Sequence, residues 1–339
     1  MRIQLVHTLE DIISVDNLLE AWREFIRGKR AKRDVQEFQL GLMDNVLSLQ
    51  RDLASGTYRH GGYQAFSIFD PKLRRIHKAS VRDRLTHHAI YRMLYPFFDR
   101  TFIADSFSCR IGRGTHKALN QFRTFGRMVS RNNTRTCWVL KCDIRKFFAS
   151  IDHDALSRIL GVYIPDVHVM QLLEKVIRSF ATDGALGKGL PLGNLTSQLF
   201  ANVYMNEFDQ FVKHRFKAKH YIRYADDFVI FSHDRGELER LLPRIGTFLR
   251  ERLNLALHPD KVFIKTLASG VDFLGWVHFP DHRVLRSATK KRMMKRIAQV
   301  EKQETINSYL GLLRHGNAYK MSEEVRKYGL IAFPKMRAV

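Results

Sequence analysis

Cysteine and proline are scarce in this sequence. Its 339 residues include three cysteines and eight prolines, and no Cys-x-x-Cys pair occurs. Cys109, Cys137 and Cys142 are too few and too poorly spaced to build a disulfide framework or a zinc ribbon. No Pro/Gly-rich linker or internal repeat is present, so we expect closely packed subdomains in a reducing compartment.

Long apolar runs are also missing. No stretch approaches the roughly 18 residues that a membrane-spanning helix needs. Residues 1–10 lack the apolar core of a signal peptide. We therefore expect a cytoplasmic protein without membrane contact.

Acidic residues are the third deficit. The 57 Lys and Arg residues face 34 Asp and Glu residues, which leaves a net charge of +23. Such a field attracts polyanions, so nucleic acid is the expected partner. Hydrophobic residues at 45% and charged residues at 27% are typical of a folded protein and exclude a disordered chain. The length suits two or three compact units.

The hydrophobic periodicity alternates between helical and strand-like segments. Apolar spacing predicts helices over 9–26, 34–54 and 82–98. Alternating or continuous apolar stretches with turn signals predict strands, in this order: 63–69, 137–143, two strands within 221–232, and a hairpin within 270–279.

The C-terminal stretch 283–339 is strongly basic, with fourteen Lys or Arg residues and four Glu. Such a concentration suits binding to a phosphate backbone, although any single lysine here more often belongs to a solvated helix face. The predicted backbone contacts are Arg286, Lys290, Lys291, Arg292, Lys295 and Arg296.

Three aspartates interrupt apolar strands. Asp226 and Asp227 lie within the paired strands of 221–232, and Asp143 ends the strand before it in the chain. Because burying an unpaired carboxylate costs on the order of several kcal/mol, these residues either form a surface turn or serve a cation. If the strands are neighbours, the carboxylates converge and would repel one another without a cation. Two Mg²⁺ ions, or Mn²⁺, suit such a carboxylate site and its use in nucleotidyl transfer.

The same residues carry a family resemblance. Tyr-Ala-Asp-Asp at 224–227 resembles the catalytic hairpin of reverse transcriptases, and Asp-Ile-Arg-Lys-Phe-Phe at 143–148 resembles their first catalytic strand. Further blocks follow the family's order, at 72–85, 105–118, 257–261, 270–276 and 309–319. The resemblance implies an α+β right-hand polymerase fold that makes DNA on an RNA template, with template RNA, the cDNA/RNA hybrid and dNTPs as partners.

The resemblance also implies a division into subdomains. Fingers with part of the palm would occupy 1–135. An antiparallel-sheet palm would occupy 136–282, with a helical insertion around 154–200. A short helical thumb would occupy 283–339.

One block departs from most of the family. Where retroviral, retron and group II intron enzymes carry QGxxxSP, residues 192–198 read Leu-Gly-Asn-Leu-Thr-Ser-Gln. This resembles the reverse transcriptases of diversity-generating retroelements. Those enzymes copy a template-repeat RNA into cDNA with errors concentrated at adenines, and the cDNA then diversifies a variable gene. That branch implies a small basic oligomeric accessory protein as partner. A retron, group-II-like or defence-associated reverse transcriptase stays open, as does a catalytically silent RNA-binding scaffold.

The resemblance assigns roles at the catalytic centre. Asp143, Asp226 and Asp227 would hold the metals, with the backbone carbonyl of Ile144 beside them. Lys261 would protonate the departing pyrophosphate, although it could equally be a surface lysine.

Further roles concern the incoming nucleotide and the primer. Arg74, assisted by Lys72, would clasp the triphosphate, unless Arg74 and Arg75 form a solvated charge run. Phe148 would exclude the ribose 2′-hydroxyl, unless it is core packing. Leu192 and Gly193 would lie beside the nascent base pair, where an aliphatic Leu192 would relax fidelity, unless it is a core leucine. The predicted primer grip, which could also be core, comprises Phe273, Leu274, Gly275 and Trp276.

Overall fold

The structure is a computed structural model that describes residues 3–69, 73–299 and 302–332, with side chains up to Tyr328. Helices dominate its N-terminal part: α1 (Leu9–Ile13), α2 (Val15–Phe25), α3 (Arg33–Leu40), α4 (Leu42–Ala54) and α5 (Val81–Asp99).

Each of the first two expected helices is divided. Ser14 separates α1 from α2, because its extended backbone and its side chain, which accepts a hydrogen bond from Asn17 N, cap the second helix. Gly41 separates α3 from α4 with a non-helical backbone, consistent with its poor helix propensity. The predicted continuous helices over 9–26 and 34–54 were therefore wrong at these residues, whereas the helix over 82–98 is confirmed as α5.

A two-stranded hairpin projects between these helices. Strands β1 (Gln64–Phe69) and β2 (Leu73–Lys78) pair antiparallel, with Gln64 opposite Lys78. Every side chain of β1 is exposed, as are the first three of β2. The only half-buried side chains of the hairpin strands are those of residues 76–78 at the end of β2, so we expect the position of the hairpin to depend on contacts there.

The central sheet has four antiparallel strands: β3 (Trp138–Asp143), β4 (Tyr221–Tyr224), β5 (Asp227–Ser232) and β6 (Phe263–Thr266). Their spatial order is β4-β5-β3-β6. The strands predicted to bear the aspartates are therefore direct neighbours. Six further helices precede or connect these strands in the chain: α6 (Thr115–Ser130), α7 (Phe147–Ser150), α8 (His153–Gly161), α9 (Val167–Arg178), α10 (Leu195–His214) and α11 (Arg235–Leu253).

The two faces of the central sheet pack into different cores. Leu140 and Phe228 belong to the large core that includes α10, α11 and the N-terminal helices. Val139 and Val229 belong to a second core built on α6 and the C-terminal elements. This alternation follows the two-residue period of a strand. By the same period, Lys141, Asp143 and Asp227 lie on the face of the second core.

A smaller sheet and three helices follow the central sheet. Strands β7 (Val271–Phe273), β8 (Trp276–His278) and β9 (Arg283–Leu285) form the small antiparallel sheet. The helices are α12 (Ser287–Gln299), α13 (Gln303–Leu313) and α14 (Tyr319–Ala332). The first residues of the expected helical thumb, 283–285, thus form a sheet strand. Among the described residues, none of the helices has the length and apolar character to cross a membrane.

Candidate active site

The aspartates meet at one end of the central sheet. Asp143 is the last residue of β3 and lies opposite Asp227, the first residue of β5. Asp226 occupies the turn between β4 and β5, and its carbonyl accepts a hydrogen bond from Ile144 N at 3.2 Å. Residues directly opposite on antiparallel strands have Cβ atoms about 5 Å apart. Two separate pieces of the chain therefore bring three carboxyl groups together.

Two lysines compensate these carboxylates. Lys261 Nζ donates a hydrogen bond to Asp143 Oδ1 at 2.8 Å. The buried Lys141 places its Nζ 2.9 Å from Asp227 Oδ1, within ion-pair distance. Lys261 was predicted to lie at the site, whereas Lys141 was missed. Its signal was a single lysine inside an apolar strand, two residues before Asp143 and on the same face.

Burial and mutual repulsion oppose ionisation of the carboxyl groups. Burial, together with the charges of Asp226 and Asp143, raises the pKa of Asp227 to about 7 despite Lys141. Burial and the neighbouring Asp143 likewise raise the pKa of Asp226. The site therefore favours additional positive charge.

The donor chemistry of this site suits a hard divalent cation. Carboxylate oxygens are the ligands that Mg²⁺ and Mn²⁺ prefer. Asp143, Asp226 and Asp227 could supply them, and the buried Ile144 backbone lies beside them. Within the described ranges, no three His, Cys, Asp or Glu side chains are already arranged to hold an ion. The ammonium groups of Lys141 and Lys261 partly neutralise the carboxylates here.

The arginine expected to clasp the triphosphate lies on the exposed hairpin. Arg74 is exposed on β2 and forms no ion pair with the described part of the chain. Its neighbour Arg75 pairs with Asp183 at 3.0 Å. Lys72 lies outside the described residues. Phe148 is half-buried, and its ring centroid lies 5.4 Å from that of the buried Phe147.

The loop before α10 connects the β1–β2 hairpin to that helix. His77 N donates to the carbonyl of the half-buried Leu192 at 3.0 Å, and Asn194 Nδ2 donates to His77 O at 2.8 Å. Gly193 has φ +101°, and a Cβ there would lie 2.7 Å from Ile76 Cγ2. Only glycine fits this position without strain or displacement of β2.

The predicted primer grip divides into a buried pair and a turn. Phe273 and Trp276 are fully buried in the second core. Leu274 and Gly275, both with positive φ, form the turn between β7 and β8. Gly275 O accepts a hydrogen bond from Arg286 N at 3.1 Å. Because the side chains of Phe273 and Trp276 are buried, they could act on a primer only indirectly, by packing against this turn.

Helix α12 presents a basic face to solvent. Met293 and Ile297 are buried on one side of the helix. Arg286, just before the helix, forms an ion pair with Asp272 at 3.0 Å. Arg292 is half-buried, and the remaining predicted contacts are exposed: Lys290, Lys291, Lys295 and Arg296. This arrangement matches a helix that packs on the core and offers its cations to a polyanion.

Comparison with known proteins identifies the family. Residues 59–278, more than half of the chain, match the family described as "Reverse transcriptase (RNA-dependent DNA polymerase)". Protein YkfC of Escherichia coli (strain K12) is 26% identical over 299 residues, which cover 76% of each chain. Group II intron-encoded protein LtrA of Lactococcus lactis subsp. cremoris is 23% identical, with 80% of this chain and 54% of LtrA covered.

The chain thus spans about half the length of LtrA. Among solved structures, apo telomerase from Candida Tropicalis, truncated from its C-terminal domain, superposes with a TM-score of 0.49 and 12% identity over 72% of this chain and 60% of that chain. The mixed architecture of helices and antiparallel sheets is that of the right-hand polymerase fold. The chain belongs to the reverse transcriptase family.

Proposed function

We propose that the protein is an RNA-directed DNA polymerase whose catalytic centre comprises Asp143, Asp226 and Asp227. The observation that carries this proposal is their convergence from two neighbouring strands in a chain of the reverse transcriptase family. Two divalent cations, Mg²⁺ or Mn²⁺, would lower the pKa of the primer 3′-hydroxyl and neutralise charge on the triphosphate.

Other side chains bind and orient the reactants in this proposal. Arg74, with Lys72, holds the triphosphate, and Phe148 excludes a ribonucleotide. Lys261, 2.8 Å from Asp143, is close enough to the centre to protonate pyrophosphate. The exposed cations of α12 hold the hybrid backbone, with little dependence on base sequence.

Primer extension on an RNA template tests this activity. Asp226→Asn should reduce the rate at least about 10³-fold, because it removes a charged ligand at the reacting centre. Asp44→Asn, at an exposed site in α4, is the matched control and should extend normally. If the wild type binds RNA but never extends a primer, even with its RNA and accessory partner, the silent-scaffold alternative is correct.

Within the family, we propose that the protein serves a diversity-generating retroelement in the cytoplasm, with template-repeat RNA and a small basic accessory protein as partners. Support comes from the Leu-Gly-Asn-Leu-Thr-Ser-Gln block. Leu192 supplies no side-chain hydrogen bond, and its backbone is tied to the fingers hairpin. The difference in binding free energy between a matched and a mismatched base pair would therefore be smaller beside Leu192 than beside the glutamine that other family members carry.

Sequencing the cDNA tests this role. Leu192→Gln should lower the frequency of errors at template adenines. Leu186→Gln is the matched control, because Leu186 is 95% exposed, and should leave the error spectrum unchanged. Equal adenine errors in Leu192→Gln and wild type would refute the role of Leu192.

A group-II-intron type of reverse transcriptase is the second candidate, favoured by the similarity to LtrA. It implies cDNA errors without an adenine bias. It also implies flanking DNA without a template-repeat and variable-repeat pair. Sequencing the flanking DNA therefore separates the two candidates.

A further inference from the structure

A buried arginine lies beneath the turn that carries Asp226. Arg223, in β4, is 0% exposed and points to the large core, opposite the face of Asp143 and Asp227. Burying an isolated guanidinium would be strongly unfavourable, so its position requires compensating contacts.

All five N–H donors of Arg223 have acceptors. Nε and Nη2 donate to the two carboxylate oxygens of the equally buried Asp209, at 2.7–3.0 Å. The second Nη2 donor reaches Ser106 Oγ at 3.0 Å. Nη1 donates to Asn202 Oδ1 at 3.3 Å and to Ala225 O at 3.1 Å. A lysine, with three donors, could not satisfy this set.

The contact with Ala225 holds the turn itself. Ala225 has φ +56°, a left-handed conformation that costs a non-glycine residue about 1–2 kcal/mol. Such strain persists only where the surroundings determine the backbone. Arg223 fixes the carbonyl of Ala225, and Ile144 N fixes the carbonyl of Asp226. These two bonds flank the Asp226 side chain and set its direction.

The acceptors of Arg223 connect the turn to the rest of the palm. Asp209 and Asn202 lie on α10, the helix that begins directly after the Leu192 loop. Asp209 Oδ1 also accepts a hydrogen bond from Tyr221 OH at 2.7 Å. Ser106 lies in the segment before α6, and its neighbour Phe107 N donates to Arg223 O. Arg223 thus ties the turn to two separate segments, α10 and the residues before α6, and Ile144 N ties it to the end of β3.

We propose that Arg223, held by Asp209, is a positioning residue that fixes the 225–226 turn so that the Asp226 carboxylate faces the cation site. This inference rests on the proposed function and adds a residue that never touches substrate. Loss of the guanidinium should weaken divalent-cation binding and turnover and leave dNTP binding nearly unchanged. Removing such an outer support typically costs about 10- to 100-fold in metal affinity or activity.

The test uses Arg223→Lys in the full chain. Its half-saturating Mn²⁺ concentration for primer extension should rise about 10- to 100-fold, with the KM for dNTPs changed less than about twofold. Arg92→Lys is the control for the loss of a guanidinium elsewhere in the chain, because Arg92 of α5 also contacts a carboxylate and an amide, Glu24 and Asn17, although this pair is only partly buried. It should leave the Mn²⁺ dependence unchanged.

Two measurements independent of catalysis accompany this assay. Mn²⁺ binding followed by electron paramagnetic resonance should weaken in Arg223→Lys. Amide hydrogen exchange of the metal-free protein should accelerate across 224–228 in Arg223→Lys and not in Arg92→Lys. If Arg223→Lys folds poorly, Ser106→Ala replaces it in the test. This variant removes one acceptor and retains the Asp209 pair, and it should shift the Mn²⁺ affinity and the exchange rates less than the loss of the guanidinium would.

The outcomes distinguish the two proposals. A wild type that binds Mn²⁺ but never extends primers refutes the polymerase activity, and the Mn²⁺ and exchange comparisons still decide the role of Arg223. If Arg223→Lys folds and keeps wild-type Mn²⁺ affinity and exchange, Arg223 is only a structural residue. The same conclusion follows if its activity loss merely tracks a lower melting temperature.

Discussion

Charged side chains are buried at the catalytic end of the central sheet and exposed to solvent on the β1–β2 hairpin. At the catalytic end of the central sheet, Lys141 and Arg223 are buried. Lys141 faces the half-buried Asp227, and Arg223 faces the fully buried Asp209. On the hairpin, the Arg75–Asp183 pair is 61% and 90% exposed, and Arg74 is exposed as well. Groups proposed to hold ions are preorganised by burial, whereas those proposed to clasp a transient nucleotide are left in solvent.

The Leu192 loop is the connection between these two regions. It hydrogen-bonds to His77 of the hairpin and leads into α10, which carries the acceptors of Arg223. Substitutions in the palm, the connection and the hairpin should therefore have decreasing effects on stability.

The largest loss of stability is expected from Lys141→Met. It leaves the half-buried Asp227 carboxylate without its cation, which should cost about 3 kcal/mol at pH 8.5 in metal-free protein, the lower end of the range for a buried pair because the side chain is 20% exposed. The pKa of Asp227 is already raised to about 7, so between pH 4 and 7 the native state binds more protons than the unfolded chain. Stability therefore falls as pH rises through this window, and the variant's deficit should be smaller at pH 6.

Denaturant unfolding with a chelator at both pH values measures this deficit. The double variant Lys141→Met/Asp227→Asn is the control, because removing both charges should restore most of the stability. A single-variant loss below about 1 kcal/mol, equal at both pH values, would show that the pair is not effectively buried.

A smaller loss is expected from Gly193→Ala at the connection. The left-handed backbone and the approach to Ile76 should together cost about 1–3 kcal/mol. In an Ile76→Ala background the steric part should disappear, and the conformational cost should remain. Gly246→Ala, on α11 with open space around it, should be neutral or stabilising. Equal effects at both glycines in thermal unfolding would contradict the close approach.

The smallest effect on stability is expected on the hairpin. Arg74→Ala and Arg75→Ala should each change the free energy of unfolding by less than about 0.5 kcal/mol, because both side chains are exposed. Arg74→Ala should nevertheless raise the KM for dNTPs about 10- to 100-fold, the cost of a lost charge-assisted contact. Steady-state kinetics should show little change for Arg75→Ala. Equal KM values for the two variants would remove Arg74 from the nucleotide site.

The palm was more predictable from sequence than the rest of the fold. Continuous apolar segments ending in Asp143 and flanking Asp226 predicted the strands, and the resemblance of both segments to catalytic motifs favoured their being neighbours. The breaks at Ser14 and Gly41 were not predicted, since a single cap or glycine competes locally with an otherwise continuous helical pattern.

Buried polar partners were the least predictable part of the site. Lys141 and Arg223 are single cations in apolar strands, and sequence alone does not identify the carboxylate that neutralises each one. Asp209 lies 14 residues before Arg223 in the chain, and only the packing of α10 against β4 brings them together. The burial of Phe273 likewise depends on Phe122 of α6, and the ring of Trp276 lies against the backbone of Gly316, which is distant in the sequence.

Direct counting of bound Mn²⁺ tests the central claim, that Asp143, Asp226 and Asp227 form one cation site. Electron paramagnetic resonance on protein with a primer, an RNA template and a non-hydrolysable dNTP should show two bound ions in the wild type. Asp143→Asn and Asp226→Asn should each lose or strongly weaken this binding. Unchanged Mn²⁺ stoichiometry and affinity in both folded variants would contradict the claim.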